Sequence, residues 1–282
     1  MKNKTVLITG ATSGIGFETA LALARKGARI VFTTREPARG AETQQRIIRQ
    51  SGNHEVFPMF CRLDDFQSIV DFSKNFTAQH PSLDVLINNA GLWETVRKES
   101  VNGIEMTFAV NHLAPFLLTL LLLPQLKKSA PSRIINVSSK SYETAKINFE
   151  DPEFKQSYPW MEAYSQSKLA NILFTTFLAN NVMPFGITVN CLHPGVVLTP
   201  IYRNMNPFLR IFFRLYMIRP AKGAQTTVYL ASSPEVQHLT GAYFVKKNQV
   251  GIMPHALDPE TAKQLWNLSM KYISPWLSGN PI

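Results

Sequence analysis

The sequence predicts an α/β fold: a doubly wound parallel sheet of about seven strands with helices on both faces. Three observations carry this. Short apolar, β-branched runs alternate with helical stretches as far as about residue 192. A glycine-rich turn joins the first of those runs directly to a helix. The chain, at 282 residues, has no internal repeat, low-complexity tract or linker, so one domain over 1–282 is expected.

The elements follow in order. Thr5 to Thr9 is a short β-branched run that reads as a buried strand. Phe17 to Lys26 reads as a helix, with Gly27 as its stop. Ala28 to Thr34 is the second strand, and the third ends near Cys61-Arg62-Leu63. The run Phe116 to Leu123, followed by Pro124, is too short to span a bilayer and reads as a buried helix, one suited to a dimer interface. Cys61 and Cys191 fall at the ends of buried strands, so both are expected as core thiols, with no disulfide framework and no metal cluster.

Between the first strand and helix lie Gly10, Ala11, Thr12, Ser13, Gly14, Ile15 and Gly16. Strand, glycine turn and helix together form the setting of a Rossmann-type dinucleotide site. Glycines let the backbone approach a pyrophosphate, and a helix N-terminus favours its charge. The spacing is G-x-x-x-G-x-G, not G-x-G-x-x-G, and a ligand-free glycine turn is the plainer alternative. Beyond the second strand come Arg35 and Arg39. Two guanidinium groups suit a ribose 2′-phosphate, which favours NADP(H) over NAD(H). Glu36 beside Arg35 keeps NAD(H) open, since an acidic residue there suits a free 2′-hydroxyl.

Tyr164 and Lys168 stand at i and i+4 and so share a helix face. A free phenol, with a pKa of roughly 10, is a poor acid or base at neutral pH. A neighbouring cation favours the phenolate, so such a pair can move protons near neutrality. Taken alone, the spacing also occurs on solvated helices.

With these motifs in order, the sequence resembles the short-chain dehydrogenase/reductase family. The matching stretches are Thr9-Gly-x-x-x-Gly-Ile-Gly16, Asn88-Asn-Ala-Gly91, Asn111, Asn136-Val-Ser-Ser139, Tyr164-x-x-x-Lys168 and Pro194-Gly195 with Thr199. Within the family it looks most like the retinol dehydrogenase branch, which includes WW-domain oxidoreductase-like members. The finer likeness lies in Val110 to Thr119, Ser167 to Asn171, His193 to Val197 and Leu265 to Ser269.

The resemblance implies roles. Tyr164 exchanges the proton with a carbonyl or alcohol, and Ser139 hydrogen-bonds the substrate oxygen. Lys168 binds the nicotinamide ribose, and Asn111 holds a water that links Lys168 to solvent. Asn89, Ala90 and Gly91 line the adenosine side. Pro194, Gly195, Val197 and Thr199 shape the nicotinamide end. The branch usually ends its third strand in Cys-Asp-Leu, whose aspartate meets the adenine amino group. This chain has Arg62 there, and an arginine accepts no hydrogen bond. A local shift that brings in Asp64 is the alternative.

The formal net charge is +10, from 29 basic and 19 acidic residues. Nucleic acid, an anionic membrane surface and an anionic cofactor compete as explanations. No nucleic-acid motif appears, so no nucleic-acid partner is expected. The N-terminus Met1-Lys-Asn-Lys4 lacks an apolar segment, so no signal peptide is expected and the protein is read as cytoplasmic.

From Pro200 to Pro220 the α/β rhythm breaks. Phe208, Phe212, Phe213, Tyr216 and Met217 are interleaved with Arg210, Arg214 and Arg219. The stretch 200–220 reads as a helical lid over a lipophilic substrate, with peripheral membrane contact through 207–219 as a compatible reading. Packing on its own domain is the bland alternative. The loop from Ser141 to Trp160 carries five aromatics and reads as another pocket wall. His112, His193 and His255 form no metal-ligand pattern.

The function expected is NADP(H)-dependent interconversion of an alcohol and a carbonyl on a bulky apolar substrate, retinal-like or another lipid aldehyde or ketone. Alternatives are double-bond reduction on the same scaffold, as in the related protochlorophyllide reductases, and a non-catalytic cofactor-sensing module. The family implies a homo-oligomer, although some lipid-active members are monomers.

Overall fold

A computed structural model describes residues 1–197 and 217–277. Among these, eight strands and seven helices alternate. They are β1 (Thr5–Ile8), α1 (Gly14–Arg25), β2 (Arg29–Thr34), α2 (Pro37–Ser51), β3 (Val56–Phe60), α3 (Phe66–Gln79) and β4 (Val85–Asn88). Next come α4 (Met106–Lys128), β5 (Ser132–Val137), α5 (Trp160–Val182) and β6 (Ile187–His193). The last are α6 (Pro220–Ser232), β7 (Tyr243–Val245), β8 (Asn248–Val250) and α7 (Pro259–Ile273).

The sheet order is β3-β2-β1-β4-β5-β6-β7-β8. Strands β1 to β7 pair in parallel, and β8 returns antiparallel on β7. The order reverses between β1 and β4, and a doubly wound sheet opens its ligand crevice at the strand ends beside such a reversal. The two faces carry separate apolar cores. One holds α1 and α6 against β1, β2 and β4; the other holds α3, α4 and α5 with Trp266 of α7 packed on it.

The parallel strands match the doubly wound sheet expected from the alternating runs, and β8 extends it by a hairpin. Lys246 and Lys247, which connect β7 to β8, both have positive φ (50° and 69°). A two-residue hairpin turn with both central φ positive normally advertises itself through Asn-Gly or Asp-Gly. Two lysines give no such signal.

Helix α4 contains a π segment over Ala109–Leu113, closed by a bond from Ala114 N to Ala109 O. Pro115 has no N–H to give the carbonyl four residues back, so the ladder widens there. Glu105 caps the N-terminus, accepting from Thr107 N and Phe108 N at 2.7 Å each. Within the π segment Asn111 bonds Leu92, which lines the crevice. By length and composition α4 is one helix apolar enough to cross a membrane, yet 83% of its most apolar window is buried within the fold. Trp266 of α7 packs on Phe116 and Phe177, with ring centroids 4.7 Å apart in each case. The run Phe116 to Leu123, expected as a buried helix and as a dimer contact, is thus covered by the chain itself.

Cys61 and Cys191 are buried free thiols, and burial pushes both up to about 12. That suits core thiols, since the thiolate is the reactive form.

Candidate active site

A cavity of about 400 Å³ opens over the C-terminal ends of the central strands. It is lined by Gly10, Thr12, Ser13, Gly14, Ile15, Gly16, Arg35, Arg39, Asn89, Ala90, Gly91, Tyr164, Lys168, Pro194, Gly195 and Val197. These sixteen of the residues singled out in the sequence therefore converge. Asn111 and Ser139 stand beside the cavity rather than on its lining, and Thr199 and the lid stretch 200–216 lie outside the described residues.

The glycine turn is built for close approach. Gly10 and Gly14 have φ of +69° and +58°, which glycine adopts without strain. Asn89 staples the turn, donating from Nδ2 to Thr9 O (2.8 Å) and Gly10 O (3.2 Å). Thr9 Oγ1 in return accepts from Asn89 N and Ala90 N at 3.0 Å each. Helix α1 starts within the turn, and Ser13 at its cap makes no side-chain cap bond. The first N–H groups of α1 lack intrahelical acceptors, which suits a phosphate. No acidic side chain stands in that first turn to oppose one.

At the far end, Arg35 Nε is 3.5 Å from Glu36 Oε1, with both side chains more than half exposed. Arg62 does not enter the cavity; it turns onto Asp64, with Nη2 to Oδ2 at 2.8 Å and Nε to Oδ1 at 3.3 Å. Asp64 is on the lining. Partial burial pushes its carboxyl up, but the hydrogen bonds and charge of Arg62, helped by Arg35, hold it below the usual carboxylate range. Asp65 is committed elsewhere as the cap of α3.

At the near end, Tyr164 and Lys168 project from one face of α5. Lys168 Nζ donates to Val137 O (3.2 Å) and lies 5.5 Å from the Tyr164 ring centroid. Burial alone pushes the ammonium down to about 8. A Cβ on Gly91 would meet Nζ at 3.3 Å, so glycine there leaves room for the lysine. Ser138 Oγ donates to Lys168 O (2.7 Å) and is buried, whereas Ser139 is partly exposed and accepts from Ser141 N at 3.3 Å. Asn111 clamps Leu92, accepting from its N and donating to its O at 2.8 Å each, and also donates to Ser167 Oγ at 3.0 Å.

The lysine shift has a consequence for stability. The folded-state value of about 8 lies below the ordinary 10.5, so between those limits the unfolded chain binds more protons. Stability gained above pH 10.5 is thus lost as pH falls toward 8. In cofactor-free protein, the thermal midpoint of the wild type relative to Lys168→Met is expected to rise over that window. A flat difference would refute the buried-ammonium account.

Some lining residues carried no recognised signal in the sequence. Leu92, Trp93, Glu94 and Met106 line the cavity with Tyr164, as does Val110, which the sequence marked only as the start of the Val110 to Thr119 likeness. The sole hint was a tryptophan directly after the Asn-Asn-Ala-Gly-Leu turn.

A family model described as short chain dehydrogenase matches residues 4–209. The chain belongs to the short chain dehydrogenase family. Curated relatives include retinol dehydrogenase 14 of Homo sapiens, 42% identical over 95% of this chain and 86% of that one. Retinol dehydrogenase 12 of Mus musculus is 39% identical over 96% and 86%. Among solved structures, a protein from Mycobacterium Paratuberculosis superposes with a TM-score of 0.78 at 31% identity, covering 97% of this chain and 94% of that one. As a short chain dehydrogenase this protein is an oxidoreductase of the retinol dehydrogenase-like branch, working between alcohol and carbonyl with NAD(P)(H). Such a dinucleotide fits the cavity: a cradle in which a Cβ on Gly16 would strike Gly10 O at 2.3 Å, the N-terminus of α1 beside it and two arginines at the far end.

Proposed function

We propose that the protein is an NADP(H)-preferring oxidoreductase that interconverts an alcohol and a carbonyl on a bulky lipophilic substrate, retinal-like or another lipid aldehyde or ketone. The observation that carries this is the Tyr164–Lys168 pair on the lining of one long cavity that reaches Arg35 and Arg39.

The glycine turn and the α1 N-terminus hold the pyrophosphate, and Arg35 and Arg39 grip the 2′-phosphate. When bound, the nicotinamide cofactor supplies or accepts the hydride. The chain supplies the rest. Tyr164 gives its phenolic proton to the carbonyl oxygen, or takes one from an alcohol. Lys168 favours the phenolate through its charge and retains donors for the ribose hydroxyls. Ser139, with its neighbour Ser138 spent on Lys168 O, hydrogen-bonds the substrate oxygen. Asn111 fixes the strand of loop that faces Lys168. Leu92, Trp93, Met106 and Val110 offer an apolar wall that suits a lipophilic substrate.

The test is a fluorescence titration of NADPH against NADH on the wild type and on Arg35→Ala. NADPH is expected to bind more tightly, and Arg35→Ala to weaken it by roughly tenfold or more while barely changing NADH. Equal or tighter NADH binding in the wild type would shift the preference to Glu36 and overturn the NADP(H) assignment. Product analysis with cinnamaldehyde separates the chemistries: cinnamyl alcohol marks carbonyl reduction, and 3-phenylpropanal marks double-bond reduction.

A further inference from the structure

Trp93 occupies a position that the proposed chemistry does not explain. Its indole lines the cavity beside Tyr164, with ring centroids 5.9 Å apart and planes at 83°, an edge-to-face contact. On its other flank is Trp160, 4.8 Å away at 57°. Trp160 is the first residue of α5, and Tyr164 follows one turn later on the same face. Trp93 is therefore wedged against two rings that one helix holds in register. The backbone before it is fixed as well, because Asn111 bonds both the N–H and the C=O of Leu92.

A proton donor must come within hydrogen-bond reach of the oxygen it serves. Whatever is attached to the carbonyl carbon then lies alongside Tyr164, and so against Trp93. A flat, braced indole rewards a flat partner: aromatic pairs gain stabilisation beyond area burial when they stack offset or edge-on. A saturated ring of equal size buries similar area but lacks the π-system.

We infer that Trp93, braced by Trp160, is a specificity-determining residue that favours carbonyls conjugated to a planar aromatic group over saturated carbonyls of the same size. The inference rests on the carbonyl-oxidoreductase reading and narrows its substrate class.

Benzaldehyde and cyclohexanecarbaldehyde make the comparison, since they differ in planarity and conjugation far more than in size. Their kcat/KM ratio in the wild type is divided by the same ratio in Trp93→Leu, which cancels their intrinsic reactivities. The ratio is expected to fall about two- to tenfold in Trp93→Leu, the span that one aromatic contact supplies. Trp93→Phe should keep most of the preference. Trp160→Leu, whose side chain does not line the cavity, should lose part of it while NADPH affinity stays unchanged. A purely structural role for Trp93 would lower both rates together; an unchanged ratio in Trp93→Leu overturns the proposal. If Trp93→Leu fails to fold, the Trp160→Leu ratio decides in the same way. If the wild type reduces neither aldehyde, the carbonyl reading fails. The wall is then judged by saturation-transfer NMR on NADP-loaded protein with the unreactive benzamide and cyclohexanecarboxamide. A benzamide preference lost in Trp160→Leu sustains the wall, and equal binding refutes it.

Discussion

Tyr164→Phe is expected to lower kcat/KM for carbonyl reduction by roughly 10²–10⁴-fold, the span typical of a positioned acid or base. The replacement is conservative in packing. The ring stays edge-on to Trp93 and 5.5 Å from Lys168 Nζ, so the wall and the neighbouring charge keep their places. Only the hydroxyl is lost. NADPH affinity, which depends on the glycine turn, the α1 N-terminus and the arginines, should change little. Steady-state kinetics beside a fluorescence titration on the same preparation would separate the two effects. Retained turnover would remove Tyr164 from the proton-transfer role. Lost turnover with intact biological activity would instead favour a cofactor-sensing module.

Gly16→Ala is expected to damage folding and cofactor binding together. A Cβ there would meet Gly10 O at 2.3 Å, Asn89 Nδ2 at 2.6 Å and Ala11 Cα at 2.9 Å. Two of these contacts are backbone, so α1 must lift away from the turn. Overpacking of this kind costs about 1–3 kcal/mol. The same movement carries the α1 N-terminus away from its place, so NADPH should bind roughly tenfold more weakly or worse, a loss of about 1.4 kcal/mol. Gly52→Ala is the control. Gly52 caps α2 at φ +73° with nothing within 4 Å of an added Cβ. It should cost roughly 1–2 kcal/mol of left-handed strain and leave NADPH affinity alone. Thermal unfolding and NADPH titration of both variants provide the comparison; equal affinities would refute the close-approach account of the turn.

Much of the site was legible because its parts are local. Gly10 to Gly16 announce a turn through spacing alone, and Tyr164 and Lys168 share a face because four residues make about one helical turn. The cavity then gathers these with Asn89 to Gly91 and Pro194 to Val197. Ser138 and Ser139 were harder to tell apart. Both carry the same hydroxyl, and the fold separates them: Ser138 Oγ donates to Lys168 O across a sequence separation of 30, while Ser139 Oγ accepts from the nearby Ser141 N.

Arg62 shows the limit of reading position by position. In sequence it replaces a residue expected to accept a hydrogen bond. In the fold it stays off the cavity lining and holds Asp64, which is part of that lining. Helix α4 teaches the same from another side. Its apolar run read as a buried helix without saying what covers it, and Trp266, far along the sequence, is found packed on Phe116.

By itself, then, the sequence determined the alternation of strands and helices, the glycine turn between β1 and α1 and the paired phenol and ammonium. Each depends on hydrophobic periodicity, glycine conformation or helical spacing, which act over a few residues. The tertiary structure alone decided that two lysines turn the β7–β8 hairpin, that α7 covers α4, that Asp64 rather than Arg62 faces the cavity, and that Trp93 stands against Tyr164. The covering of α4 by α7 and the stand of Trp93 against Tyr164 depend on contacts between distant segments; the Arg62–Asp64 pair and the hairpin depend on local conformations that their residues do not announce. Such choices are made by burial and packing after the local elements form.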